Sequence, residues 1–249
     1  MTDREVPADL GRLWRLPAPA RLGRPAELDL DQVVRAAVDL ADRDGLDGVT
    51  LQKVAQALGF TKMSLYRHVG SKDELFELMA DHANGPAPDL GDEDGWREGV
   101  RRWSAAIRAR YTEHPWLIEM PTSGPPRGPN AISWMDAMLR VLRDTGLDLA
   151  TQVGVLNVVS GYLRHALTLT RQLEQGRDGT GLSQADVEQN YGRTLATLVD
   201  PERFPYAAQL FSAEVFEPGP EDDPAVDDFA FGLELVLDGV AATIAAQRS

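Results

Sequence analysis

The sequence predicts an all-α fold, on three observations. Apolar residues recur at three- and four-residue spacings in segment after segment, as in the stripe Leu30, Val33, Val34, Ala37, Leu40 and Ala41, which is the period of a helix with one buried face. Serine, threonine or aspartate precedes several of these stripes and glycine or proline follows them, the residue types that cap helix starts and stop helix ends. From residue 94 onward no run alternates apolar and polar residues for long enough to force a strand.

Residues 1–27 carry Pro7, Pro17, Pro19 and Pro25 among Arg12, Arg15, Arg21 and Arg24, and proline at this density opposes a long helix. They are expected to form a flexible, Arg-bearing arm. Residues 28–83 read as a three-helix head. Asp29 or Asp31 opens a support helix that ends near Gly45. Thr50 caps a short helix with Leu51, Val54, Ala55 and Leu58 on one face, stopped by Gly59. Thr61 then caps a second short helix whose inward residues are Leu65 and Val69, ended by Gly70. Two short helices joined so tightly must cross, which is a helix-turn-helix. Ser71-Lys-Asp-Glu74 is a capping-box pattern that launches a helix carrying Leu75, Leu78, Met79 and His82.

Residues 84–249 read as a second, helical domain. Its expected helices run from Trp96 to His114, Ala131 to Thr145, Ala150 to Gln175, Ser183 to about Val199, Pro201 to Phe216 and about Val226 to Gln247, with the proline-rich connector Pro121–Pro129 between the first two. The last helix is apolar on more than one side, so one face can serve the core and another a partner helix. Helices 150–175 and 226–247 are expected to pair across a twofold axis as a four-helix interface of a homodimer.

Charge locates the partner. The chain has 39 acids and 25 bases, a formal net charge of −14, yet Thr50 to Lys72 holds Lys53, Lys62, Arg67 and Lys72 and no Asp or Glu. Residues 1–84 sum to −3 and residues 85–249 to −11, so the acidity is concentrated away from that stretch. A local basic, acid-free surface on a helix-turn-helix points to double-stranded DNA. Lys62, Tyr66 and Lys72 are the phosphate candidates; Thr61, Met63, Ser64 and Arg67 stand nearer the base edges; Thr50, Lys53 and His68 flank them, and Arg24 is the arm's candidate for a groove or backbone contact.

Other chemistries lack their motifs. There is no phosphate-cradling loop, no nucleophile elbow, no His-Glu-x-x-His and no dinucleotide fingerprint, so no enzymatic activity is expected. Cysteine is absent, and His68, His82, His114 and His165 never share a metal-ligand spacing on one helix; no metal and no cofactor are expected. No segment reaches 18 consecutive apolar residues and the first residues lack the charge and apolar run of a leader, which predicts a cytoplasmic protein without a membrane partner. His114, Trp116, Met120, Trp134, Met138, Asn157, Tyr162, His165 and Thr168 form a set of amphipathic side chains near the helix breaks. They suit either a core with tolerated polar groups or the lining of a site for a small hydrophobic effector.

Gly48-Val-Thr-Leu-Gln-Lys-Val-Ala-Gln-Ala-Leu-Gly59, Ser64-Leu-Tyr-Arg-His-Val69 and Gly70-Ser-Lys-Asp-Glu-Leu75 resemble the DNA-binding head of the TetR family of one-component bacterial repressors. His114-Pro-Trp116 and Gly128-Pro-Asn130 resemble the subgroup whose C-terminal domain is similar to that of the tetracycline repressor. The resemblance implies an operator-bound homodimer released by a small molecule. It also sets His114 where that subgroup has a metal-coordinating histidine, although the rest of the metal and drug site has no match. The residues themselves offer a second reading of His114, as the group completing a helix C-terminus before Pro115. An activator or architectural DNA-binding protein without an inducer pocket, and an all-α interaction module with a degenerate head, are the alternatives.

Overall fold

The structure, a computed structural model, describes residues 6–17, 28–91, 94–121, 124–217 and 228–247. Among them the α-helices are α1 (Ala8–Leu13), α2 (Leu30–Asp44), α3 (Leu51–Ala57), α4 (Lys62–Leu65), α5 (Lys72–Asn84), α6 (Gly95–Glu113), α7 (Pro129–Leu142), α8 (Leu149–Arg177), α9 (Gln184–Leu198), α10 (Pro205–Ser212) and α11 (Asp228–Gln247). Short 3-10 turns lie at Leu46–Gly48, Pro115–Glu119, Arg143–Thr145 and Glu214–Phe216, and the described residues contain no strand.

The helix starts follow from their caps. Asp29 accepts from the Gln32 N–H at 2.7 Å while Gln32 Oε1 accepts from the Asp29 N–H at 3.0 Å, a reciprocal box that opens α2. Thr50 accepts from the Lys53 N–H at 3.2 Å and Thr61 from the Ser64 N–H at 3.3 Å. Between α3 and α4 the chain turns through Gly59 at φ +74°, a left-handed conformation that costs glycine nothing. Val33, Val34 and Ala37 of α2, Val54 of α3, Leu65, Val69 and Leu75 meet at full burial, and at roughly 1.5–3 kcal/mol for each large apolar side chain this cluster holds the crossed helices together.

Cα proximity divides the chain into two compact units, Met1–Leu167 with Val236–Ser249, and Thr168–Leu235. The expected boundary at residues 83 and 84 falls inside the first unit, because α5 is tied to α7: Asp81 accepts from the backbone N–H groups of Asn130 at 3.1 Å and Ala131 at 3.0 Å, capping α7 from outside it. In the second unit α9, α10 and the turn Glu214–Phe216 gather Tyr191, Phe211 and Phe216 with ring centroids 5.4–5.6 Å apart.

Four expectations are corrected. Residues 8–13, placed in a flexible arm, form α1, because Pro7 can start a helix and Leu13 finds a buried seat in the head core. The capping box at Ser71 is half formed: Ser71 accepts from the Glu74 N–H at 3.1 Å, but the Glu74 carboxylate turns to Gly70 and Arg12 instead of back to residue 71. The helix expected over Pro201–Phe216 shortens to α10, since Pro205 supplies its first turn and Ala213 breaks into extended backbone. Finally, the helix expected from Thr61 to Gly70 shortens to α4, because the chain tightens into three-residue turns in which the Arg67 N–H donates to Ser64 O at 3.2 Å and the His68 N–H to Leu65 O at 2.8 Å. Among the described residues Phe229–Gln247 is long and apolar enough to cross a membrane by length and composition, without an unbroken apolar run of 18 residues.

Candidate nucleic-acid interface

The outer side of the helix-turn-helix is built by subtraction. Leu65 and Val69 point inward and are fully buried, which turns Lys62, Met63, Tyr66 and Arg67 outward. Met63 is 72% exposed and Tyr66 42%, large apolar surface that gains nothing in water and fits a partner. Lys62 Nζ lies 5.8 Å from the Tyr66 ring and Lys72 Nζ 4.8 Å from the Phe76 ring, so both ammonium groups sit on aromatic faces at the edges of this surface. Thr50, Lys53, Thr61 and Lys72 are exposed, and Ser64 and His68 half-buried. Thr61 Oγ1 and Ser64 Oγ are 3.0 Å apart, a hydroxyl pair beside the exposed cations.

The structure therefore brings Lys62, Met63, Tyr66 and Arg67 onto one outward surface, with Thr50, Lys53, Thr61 and Lys72 exposed and Ser64 and His68 partly so. The surface offers cations, hydroxyls and one aromatic ring with no carboxylate among them, which is the chemistry that binds phosphates and base edges. Arg24 lies outside the described residues. Arg12 and Arg15, the other arm arginines in the described residues, are engaged inside the molecule: Arg12 with Glu74 and Arg15 with Asp31 at 2.7 Å.

The expected effector lining separates into two groups. Trp116 and Met120 are buried in the head core with Leu117, and Trp116 Nε1 donates to Asp42 Oδ1 at 2.6 Å. His114 Nδ1 lies 2.8 Å from the same oxygen, so His114 is held by α2 while its N–H also closes α6 on Arg110 O at 2.8 Å. Trp134 donates to Gly85 O at 2.9 Å, its carbonyl accepts from Trp103 Nε1 at 2.9 Å, and the two indoles meet edge-on at 6.0 Å. Met138 is fully buried. Within the chain these five side chains pack, and their indole N–H groups and the His114 Nδ1 have internal partners. Asn157 and His165 are exposed and Tyr162 half-buried along α8; Thr168, half-buried, belongs to the second unit.

Two clefts open on the first unit, of about 420 Å³ beside Asp9, Glu74, Glu77 and Arg127, and about 440 Å³ beside Arg35, Asp39, Leu40 and Leu58. Neither is lined by an expected effector residue. Among the described residues no group of three or more His, Cys, Asp or Glu could hold a metal ion.

Interactions spanning distant residues were missed. Arg164 Nη2 donates to Ile118 O at 2.9 Å and also to Met120 O, holding the turn after His114; Asp42 and Asp81 serve two groups each. The one local signal for α1 was the pair Leu10 and Leu13, one helical turn apart between Pro7 and Pro17.

Comparison with known proteins agrees with this geometry. The family model for bacterial regulatory proteins of the tetR family matches residues 33–79, and that for the tetracyclin repressor-like C-terminal domain matches residues 87–244. The HTH-type transcriptional repressor DrrR1 of Streptomyces coeruleorubidus is 34% identical over 98% of this chain and 88% of its own. The tetracycline repressor protein class C of Escherichia coli is 26% identical over 86% of this chain and 91% of its own. Among solved structures, the Streptomyces coelicolor TetR family protein ActR in complex with actinorhodin superposes with a TM-score of 0.67 at 26% identity, covering 88% of this chain and 97% of that one.

Proposed function

The chain belongs to the TetR family of bacterial regulatory proteins, and from that premise we propose that it is a cytoplasmic, homodimeric repressor that leaves its operator when a small hydrophobic effector binds. The observation that carries the DNA-binding part is the outward surface of α4 and the turn that follows it, with Lys62, Met63, Tyr66 and Arg67 exposed and Leu65 and Val69 buried beneath. Such a helix enters a major groove while cations at its edges engage phosphates. In this reading Lys62, Tyr66 and Lys72 hold the backbone; Thr61, Met63, Ser64 and Arg67 approach base edges, and Thr50, Lys53, His68 and Arg24 add flanking contacts.

For the effector, Asn157, Tyr162 and His165 on α8 orient the ligand by hydrogen bonds. The ActR complex with actinorhodin supports a small-molecule effector for a chain of this fold. Binding that favours a head arrangement unsuited to the operator weakens DNA affinity, and by linkage DNA weakens effector affinity by the same factor. DNA binding and its relief, not catalysis, are the activity.

Selection of duplexes from a randomised library by the full-length protein tests the DNA reading. The selected duplex is then titrated over a salt series with wild type and Lys72→Ala. A phosphate contact at Lys72 lowers affinity for all sequences alike and reduces the salt slope by about one contact. Actinorhodin, the compound in the ActR complex, is added to the protein–DNA complex and compared with a sugar phosphate to test relief. No selected duplex removes the DNA-binding reading; release by the sugar phosphate alone removes the hydrophobic effector.

A further inference from the structure

We infer that Arg12 and Glu74 form a clasp that positions the recognition segment, so that α1 contributes to DNA binding from inside the head and not through the groove. The inference rests on the DNA-binding reading and adds to it a pair of positioning residues that touch no nucleic acid.

The clasp begins at Gly70, the residue after Val69. Its N–H donates to Glu74 Oε2 at 2.9 Å, and Val69 N–H donates to Leu65 O at 2.9 Å, so the end of the recognition segment hangs on the Glu74 carboxylate. That carboxylate is buried; a buried acid needs a partner that is both charged and hydrogen-bonded. Arg12 supplies it with both arms of its fork, Nη2 to Oε2 at 2.8 Å and Nε to Oε1, the geometry in which guanidinium and carboxylate bind most firmly. The approach is so close that a Cβ at Gly70 would stand 2.7 Å from Glu74 Oε2 and 3.3 Å from Arg12 Nη2.

Helix α1 is itself anchored by independent contacts. Leu13 is buried in the head core, Trp14 Nε1 donates to Arg127 O at 2.8 Å, and Arg127 pairs with Asp9 at 3.1 Å and with Glu77. Arg12 is thus presented to Glu74 by a seated helix, and the recognition segment is held at its start by the Thr61 cap and at its end by Gly70. Without Arg12, the Glu74 charge must turn outward to water and release the Gly70 N–H.

Two accounts of Arg12 predict opposite results. If it touched a phosphate, removing it would lower the salt slope by about one, and removing the negative charge of Glu74 would tighten binding. A positioning pair predicts that Arg12→Ala and Glu74→Gln each weaken binding about tenfold at an unchanged slope, and that the double variant is no weaker than either single one. The full-length proteins are titrated against the duplex selected by wild type, with dimer and helix content checked by sedimentation and far-UV circular dichroism. Arg12→Lys keeps the charge but loses the fork, so the clasp predicts weakening there too. Amide exchange at Gly70, read without DNA, must accelerate in all the variants. Unchanged exchange or affinity, or tighter binding by Glu74→Gln, overturns the clasp; a wild type that enriches no duplex overturns the DNA-binding reading and the clasp with it.

Discussion

A Cβ at Gly128 would stand 2.0 Å from Asp81 Oδ1. The carboxylate occupies that place because it caps α7, accepting from the N–H groups of Asn130 and Ala131, while Asn130 Nδ2 donates to Asp81 O at 2.9 Å. Residue 128 has ordinary extended backbone at φ −80°, so the requirement for glycine is one of space and not of conformation.

Gly128→Ala is therefore expected to destabilise the protein by about 2 kcal/mol, since moving the carboxylate aside breaks both caps on a largely buried acid. Gly154, exposed on α8 with open space where a Cβ would go, is the control: Gly154→Ala should leave stability unchanged or raise it by roughly 0.5–1 kcal/mol. Urea midpoints of the two variants check the contrast, and equal midpoints would show that Asp81 yields freely.

Asp81 also sets a pH dependence. Burial pushes its carboxyl above the ordinary carboxylate range, against the two backbone N–H groups that favour the charged form. The folded chain then holds this proton where the unfolded chain has lost it, so its contribution is present below the unfolded value and is lost as pH rises through the raised folded value. Asp81→Asn has no proton to hold. The stability of the variant relative to wild type should rise between pH 4 and pH 7, measured by urea unfolding at each pH; a difference independent of pH would mean that the carboxyl is not perturbed.

Much of the head was legible because its signals are local. Thr50, Thr61 and Ser71 each cap the helix that follows within three residues, and Leu65 with Val69 identifies the buried side of α4 and the turn after it without reference to anything distant. The Ser71–Glu74 pattern misled because its usual partner is local, whereas the carboxylate was taken by Arg12, 62 residues away. Trp116, Trp134 and Met138 have the same amphipathic spacing whether they line a cavity or fill a core. The acceptors of the two indole groups, Asp42 and the Gly85 carbonyl, lie far away in sequence and leave no trace in that spacing.

The faces of α11 separate assembly from folding. Leu233, Leu237, Val240 and Ile244 are buried at four-, three- and four-residue steps, whereas Phe231 and Leu235 are 64% and 59% exposed. Val240 is buried, so Val240→Asp should unfold the chain. Leu235→Asp should instead yield a folded monomer with weakened DNA binding, because the exposed apolar face is what a partner helix would cover. Sedimentation and circular dichroism of both variants distinguish the outcomes, and a Leu235→Asp dimer of unchanged stability would place the interface elsewhere.

His114 can be tested as a metal ligand or as a packing group through Asp42. One oxygen of Asp42 accepts from the buried Trp116 N–H and lies within 2.8 Å of His114 Nδ1, so the ring nitrogen facing α2 is engaged and the indole depends on the same acceptor. Asp42→Ala strands the indole N–H inside the core, which costs about 1–3 kcal/mol, and it frees His114 as well. His114→Ala removes one contact and leaves Trp116 with its acceptor, so it must cost less than Asp42→Ala. Trp116 emission should change more in the Asp42 variant for the same reason. A metal ligand would give the reverse pattern: addition of magnesium would raise the melting temperature of wild type, and His114→Ala alone would abolish that rise. With Asp42 bridging the two rings, we expect no magnesium-dependent shift in either variant or in wild type, and the order of stability wild type, His114→Ala, Asp42→Ala.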